Sequence, residues 1–476
     1  MASIQFTPSL IAFLTGVGFS FAWVVILAVA LAAGRIYCST ICPLGLLQDV
    51  LHRLARFARP GPPRPAPCAR PRPVLRWSFF WAAIAACALG AGTAAFVWLD
   101  PYSIFGRVAA SLFRPLLVSV NNLAAAILHS GALFRVEPGW DLFSALTSAA
   151  MLLILAVLVY RVGRLYCNTV CPVGTILGWL AARAAFRLHI DPAACGKCAN
   201  CLRVCKAHCI DLRARQIDMS RCVACFDCID SCDQHAIGFH NAWRDPAQPK
   251  FVDAPSPLPQ TVPDLPRRVF LLQGVAGLAG AAALGHSRTP APAPVSPPGS
   301  SGLDAFLERC TACHLCLAAC PTGVLRPSFL EYGWTGLLKP HLAYPGAFCN
   351  FDCCRCGQVC PNGAILPLDP SVKHFVKIGE AAFHHDLCVV VTNHTDCAAC
   401  SEHCPTKAIT TVPYGNDLRI PSLDVSLCIG CGACQYACPV KPDKAITVAG
   451  LYRHTFARKK VEARATLSKP AADFPF

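Results

Sequence analysis

The sequence has little charge. Only 14% of its 476 residues are Asp, Glu, Lys or Arg, against 54% hydrophobic ones, which excludes a single soluble globule and places part of the chain in lipid. Acidic residues are the scarcer kind, 27 against 42 basic, leaving a formal net charge of +15. That excess does not indicate nucleic acid, because the arginines flank apolar runs and form no basic and aromatic stripe. Membrane orientation accounts for them. One fingerprint is missing: no GxGxxG with a suitable acidic residue after it occurs, which removes dinucleotide cofactors. Cysteine is what the chain has in excess, 32 residues of it. Regular short spacings in a chain this long read as metal ligands, not as the disulfide framework of a small secreted domain.

Leu10 to Ala33 is an uncharged apolar run of 24 residues, Trp77 to Leu99 a second run and Leu142 to Tyr160 a third; each is long enough to predict a membrane span. Val108 to Phe134 is apolar but interrupted by Arg114-Pro115, Asn121, Asn122 and His129, and reads as an amphipathic or re-entrant segment, or a weak span. The loop between the first two spans carries Arg35, Arg53, Arg56, Arg59, Arg64, Arg70, Arg72 and Arg76, so the positive-inside rule makes it cytoplasmic. The third span then returns the chain inside, and 161–268 is cytoplasmic. This orientation would start the first nine residues outside, so either the N-terminus is translocated or an earlier helix is missing from this sequence, the second being the expectation. Arg267-Arg268-Val269-Phe270-Leu271 and the apolar residues to Leu284 resemble a twin-arginine export signal, which addresses folded, cofactor-loaded domains. Proline-rich tracts at 246–266 and 287–302 are read as extended spacers that pack no core.

Cys195, Cys198, Cys201 and Cys205 form CxxCxxCxxxC, and Cys222, Cys225, Cys228 and Cys232 repeat it. Such a pair is the signature of a two-cluster ferredoxin: three thiolates of a short loop face one cubane and the fourth reaches across to the other. Cys205 is thus assigned to the second cubane and Cys232 to the first, although the usual proline is replaced by Lys206 and Asp233. Structural zinc is disfavoured by two complete motifs. Four more motifs follow: Cys310, Cys313, Cys316, Cys320; Cys349, Cys353, Cys356, Cys360, where Cys354 can replace Cys353; Cys388, Cys397, Cys400, Cys404; and Cys428, Cys431, Cys434, Cys438. Six [4Fe-4S] clusters are expected, the last four paired either in chain order or nested. Cys68, Cys87, Cys209 and Cys354 are left over as structural thiols.

The first and third spans end in a repeat, Gly34-Arg35-Ile36-Tyr37-Cys38-Ser39-Thr40-Ile41-Cys42-Pro43-Leu44-Gly45 against Gly163-Arg164-Leu165-Tyr166-Cys167-Asn168-Thr169-Val170-Cys171-Pro172-Val173-Gly174. Cysteines four apart share a helical face, so Cys38, Cys42, Cys167 and Cys171 can converge on one site. A seventh metal or iron–sulfur centre and a pair of redox dithiols are both open. Asp100, Asn121, Asn122 and His129 can exchange protons with a quinol headgroup, but read more readily as caps and turn residues.

On these motifs residues 10–240 resemble the NapH family of membrane ferredoxins, with two CxxxCP motifs and two cytoplasmic clusters, and residues 267–450 resemble the NapG/MauM family of periplasmic four-cluster ferredoxins with a twin-arginine leader. The chain looks like a fusion of the two. The resemblance implies a multi-pass protein of the bacterial inner membrane: a helical membrane domain with two CxxxCP motifs (1–190), an α+β ferredoxin-like two-cluster domain (191–245), a linker, the anchor (267–286), a second linker, a periplasmic four-cluster domain (303–455) and a basic tail (456–476). Electrons would pass from quinol or a cytoplasmic donor to a periplasmic reductase or c-type cytochrome, the chain acting as a quinol dehydrogenase-type subunit with no catalytic residues of its own. A maturation factor reducing another enzyme's metal or cofactor is the alternative, and a membrane redox sensor a third.

Overall fold

The computed structural model describes residues 4–14, 16, 20–57, 68, 72–88, 97–128, 141–243, 293–415 and 417–458. The twin-arginine stretch, the 246–266 linker, His129 and the tail beyond 458 lie outside the described residues.

The first apolar run is two helices, Phe6–Leu14 (α1) and Ala22–Ala33 (α2), which corrects the expectation of one span from Leu10 to Ala33. Gly16 stands between them at φ 68°, a left-handed turn that stops a helix. The hydroxyls of Ser9 and Ser20 meet at 2.8 Å across the break, and the Trp23 N–H donates to Ser9 Oγ. Short helices Ile36–Thr40 (α3) and Pro43–Phe57 (α4) follow, then Pro73–Ala88 (α5).

The interrupted stretch is more regular than its sequence suggests. Pro101–Val108 (α6) continues through a π-helical turn, Ala109–Phe113, into Arg114–Leu128 (α7), the wide turn lying just ahead of Pro115, where the ladder loses a donor. Asp100 opens this helix, its carboxylate accepting from the Ser103 N–H at 2.8 Å, so it acts as a helix cap. Pro101–Ile127 and Leu142–Val162 (α8) are the two described helices long and apolar enough to cross a membrane. The 21 residues of α8 span about 30 Å. After Tyr166–Val170, a second π-helical turn, Pro172–Ala181 (α9) closes the helical domain.

The smaller ferredoxin module pairs Phe186–Ile190 (β1) with Ile237–Asn241 (β4) and Ile210–Asp211 (β2) with Gln216–Ile217 (β3), both antiparallel. The larger one pairs Leu325–Pro327 (β5) with Pro340–Leu342 (β6), Ile409–Tyr414 (β8) with Leu418–Leu423 (β9), and Val376–Phe383 (β7) with Ile446–Phe456 (β10). Each ladder supplies buried Ile, Leu or Val side chains to a core shared with cysteines.

The 287–302 tract is not a free spacer from residue 293 onward, and that expectation is corrected. Val295, Ser296 and Ser300 are buried, the Ala293 carbonyl accepts from Gly450 N–H, that of Val295 from Leu342 and that of Gly299 from Leu366. Proline segments have few donors of their own, but their free carbonyls can still edge a sheet. Ser296 Oγ also meets His454 Nε2 at 2.8 Å. Burial pushes the His454 imidazole down to about 4. Unfolded, this histidine takes a proton near pH 6.5; folded, it does not until about pH 4, so stability is lost as pH falls through that window, by at most about 3 kcal/mol. Thermal midpoints of the full chain should drop between pH 7 and 4.5, and the drop should shrink in His454→Gln.

Both modules seat on the helical domain, at opposite ends of α8. At its start, Ser144 Oγ meets His314 Nδ1 at 3.2 Å and Phe143 packs edge-on against Phe329. At its end, Arg164 N–H donates to the Lys206 carbonyl, and an added Cβ on Gly163 would lie 2.3 Å from that oxygen.

Candidate iron–sulfur sites

In four of the six motifs the residues flanking the middle cysteine are left-handed: Lys197 and Ala199 (φ 57° and 66°), Ala224 and Phe226 (49° and 62°), Ala312 and His314 (52° and 61°), and Gly430 and Gly432 (75° and 79°). Non-glycine residues adopt this conformation only at a cost of about 1 kcal/mol each. Successive peptide N–H groups are thereby turned inward, forming the kind of backbone nest that receives an anionic cluster.

The hollows inside these loops are lined by cysteines from two motifs at once. Cys195, Cys198 and Cys201 surround one with Cys232; Cys310, Cys313 and Cys316 another with Cys360; Cys349, Cys353 and Cys356 a third with Cys320; and Cys388, Cys397 and Cys400 a fourth with Cys438. The remaining thiols form two further groups. Cys228 is held up by burial and then by Cys222, Cys205 and Cys225, and Cys434 by burial and then by Cys431, Cys428 and Cys404. In the 349 loop, burial with Cys349, Cys320 and Cys353 pushes Cys356 up to about 12. Thiols this crowded ionise together only against a cationic core, which a [4Fe-4S] cluster supplies. Among the described residues no three His, Cys, Asp or Glu side chains converge on a point fit for one metal ion; the thiols stand around a volume instead.

Two questions that spacing left open are thereby answered by geometry. The C-terminal motifs pair in chain order, first with second and third with fourth. It is Cys353 that faces its hollow, while buried Cys354 opens the turn Arg355–Gln358. Cys320→Ser should therefore remove the centre of the 349 loop and Cys360→Ser that of the 310 loop, each with about four irons. EPR of the two variants reads which signal disappears, and the opposite assignment would refute the crossover.

The CxxxCP cysteines also come together. Cys38, Cys42, Cys167 and Cys171 are each 5% exposed and share one core. The two repeats clasp one another: the Arg35 guanidinium donates to the Cys167 carbonyl at 2.9 Å and to Asn168 Oδ1 at 2.7 Å, and that of Arg164 donates to the Cys38 carbonyl at 2.6 Å and to Asp49. Gly45 and Gly174 make the closeness possible, since an added Cβ would lie 2.1 Å from the Cys38 carbonyl oxygen and 2.2 Å from that of Cys167. Gln48, 1% exposed, accepts from Cys167 Sγ. Burial, then Cys38 and Cys167, push the Cys42 thiol up. Arg35 and Arg164 were not singled out as site residues by sequence, although they occupy matching places in the repeat; Gln48 left no signal.

The two modules approach this domain by their cluster loops. On one side Arg35 donates to the Ser220 carbonyl, Ser39 Oγ to that of Ala224, and Val223 joins the core around the four cysteines. On the other, Arg107 donates to the Ala312 carbonyl, and an added Cβ on Gly106 would lie 2.5 Å from the Cys313 carbonyl oxygen. Cys349 N–H donates to the Cys431 carbonyl, bringing the two halves of the larger module together.

Comparison with known proteins matches what these loops are built to hold. A family model described as "4Fe-4S binding domain" matches 14–62 and again 143–190, one CxxxCP motif in each; another of the same description matches 306–326, and a "4Fe-4S dicluster domain" matches 393–441. The ferredoxin-type protein NapF of Escherichia coli K12 is 30% identical over 161 residues, 34% of this chain and 87% of NapF. The methylamine utilization ferredoxin-type protein MauM of Methylophilus methylotrophus is 31% identical over 188 residues, 36% of this chain and 79% of MauM. NapG of E. coli K12 is 28% identical over 154 residues, covering 30% of this chain and 64% of NapG. No solved structure matches. Coverage and identity to NapF and MauM, together with loops that gather cysteines by fours, establish that this chain belongs to the NapF/MauM family of ferredoxin-type proteins and is a [4Fe-4S] electron-transfer protein.

Proposed function

We propose that the chain is a membrane-crossing electron conduit in which a NapH-type helical and two-cluster half is fused to a NapG/MauM-type four-cluster half. The observation that carries this reading is the seating of the two modules at opposite ends of α8, a helix whose length of about 30 Å equals the hydrocarbon thickness of a bilayer. The smaller module is cytoplasmic and the larger periplasmic, by the arginine placement of the loops and the twin-arginine stretch at 267–271. Six [4Fe-4S] clusters are held by the cysteine groups described above.

A seventh centre at Cys38, Cys42, Cys167 and Cys171 is supported by the match of both repeats to a 4Fe-4S binding model and by charge. Four thiolates around a core of charge +2 leave a net −2, which the guanidiniums of Arg35 and Arg164 offset in a site that excludes water. Quinol is the reductant, entering at the helical domain, and a periplasmic redox protein is the acceptor. Within the larger module electrons pass from the 310 loop, which touches the helical domain, through the 349 and 428 loops, which touch each other, to the 388 loop.

Iron and acid-labile sulfide on anaerobically purified protein, followed by a menaquinol titration watched by EPR, test the proposal. About 24 irons are expected for six cubanes and about 28 with the seventh, with reduction by the quinol. Fully loaded clusters that menaquinol leaves oxidised would instead favour a cytoplasmic donor, and the maturation reading with it.

A further inference from the structure

Five motif ends in this chain share one backbone course. Three residues beyond the fourth cysteine the chain turns left-handed, at His208, His235, Gly323, Gly363 and Lys407. The residue after that turn folds back beneath the cluster loop. It is Ala236, Val324, Ala364 and Ala408 in four of the five, all buried. In the fifth it is Cys209, 2% exposed.

Nothing in packing calls for sulfur there. Ala236 fills the equivalent place in the other half of the same module at 3% exposure, and its N–H donates to Cys232 Sγ at 3.3 Å. Cys209 has an additional contact that no alanine can make: its Sγ lies 3.8 Å from Cys205 Sγ. Cys205 belongs to the group of Cys222, Cys225 and Cys228.

We propose that Cys209 is not a ligand and not filler, but a thiol that donates an S–H hydrogen bond to the Cys205 thiolate and so raises the reduction potential of the centre held by Cys205, Cys222, Cys225 and Cys228. Hydrogen bonds to ligand sulfurs stabilise the more negative, reduced state of a cluster. The direction of donation follows from ligation: Cys205, bound to the cluster, is a thiolate that can only accept, so the proton of the contact is carried by Cys209. Of the two centres in the smaller module this is the one against the helical domain, since Ala224 and Val223 of its loop meet Ser39 and the core around Cys38 and Cys167. Its partner, held by Cys195, Cys198, Cys201 and Cys232, has Ala236 and no such donor. The asymmetry makes the membrane-side centre the one on which an electron rests.

This inference assumes the two-cluster reading of the smaller module, and the test separates the two. Full-length protein is purified anaerobically as wild type, Cys209→Ala and Cys209→Ser, iron and sulfide are measured, and each sample is titrated potentiometrically with EPR detection. Cys209→Ala is expected to keep every iron, as the alanine at 236 shows the backbone allows, and to move one midpoint to more negative potential. The signal that moves is the one missing from Cys225→Ala. Cys209→Ser retains a donor and should stay near the wild-type midpoint. Unchanged midpoints in Cys209→Ala would overturn the proposal. So would loss of about four irons in that variant, which would make Cys209 a ligand. Absence of iron and sulfide from the wild type would refute the cluster reading itself.

Discussion

In a Gly106→Leu variant the clusters of the larger module are expected to stay oxidised after quinol is added, while those of the smaller module are reduced at the wild-type rate. Gly106 lies on α6 with the Cys313 carbonyl so close that even one added carbon would sit 2.5 Å from it. That oxygen belongs to a cluster loop held by its left-handed backbone and cannot yield as a flexible side-chain tip would. The leucine must lift the loop away, breaking the Arg107 bond to Ala312 and the contact of Ser144 with His314. A lifted loop widens the gap that an electron must tunnel across between the helical domain and the 310 loop, and slowed electron arrival at the larger module is the expected result. Stopped-flow reduction followed at cluster absorbance, with EPR to sort the centres, measures it. Wild-type kinetics in both modules would mean that electrons do not pass from the helical domain through the 310 loop. Iron content should be unchanged, because Gly106 lies outside both cysteine arrays.

The second large effect is expected at the CxxxCP clasp. Gly174→Val places a branched side chain where a Cβ alone would lie 2.2 Å from the Cys167 carbonyl oxygen and 2.9 Å from the Arg35 guanidinium. The guanidinium is buried and already bonded to that same oxygen. Overpacking at a site this confined costs about 3 kcal/mol or more, and the displaced Arg35 would leave a buried charge without its partners. Gly45→Val should behave alike, its obstacle being the Cys38 carbonyl. Each variant is expected to unfold at a markedly lower temperature and, with a seventh centre at this place, to lose about four irons while keeping the others. Variants with full iron and an unshifted midpoint would remove the clasp from the account.

The cysteine arrays were legible because cluster ligation is local. Three thiolates within seven residues dictate a loop, and the fourth can only reach across. The missing prolines after Cys205 and Cys232 mattered little: His208 and His235 take the left-handed turn that Gly323 and Gly363 take elsewhere. Pairing of the last four motifs was not legible, since it depends on which loops meet in space, as where Asn362 Nδ2 reaches Thr311 Oγ1 at 2.7 Å. The break at Gly16 was hidden inside an unbroken apolar run, because hydropathy records transfer from water and not backbone dihedrals. Conversely, Arg114-Pro115 looked like an interruption, yet a π-helical turn absorbs it and the helix runs on. The proline tract from Ala293 misled for a related reason. Composition counts its missing donors, whereas its carbonyls are what the larger module uses.

That tract has a consequence for biosynthesis. Ala293 to Ser300 leave the ribosome ahead of every cysteine of the larger module, but their backbone partners at Leu342, Leu366 and Gly450 emerge far later, the last of them after the final cysteine. The fold is thus sewn shut from its first residues by its last strand. A nascent chain that stops short of Gly450 keeps an open seam beside Ala293, so truncated products are marked structurally as unfinished even when all their cysteines are present.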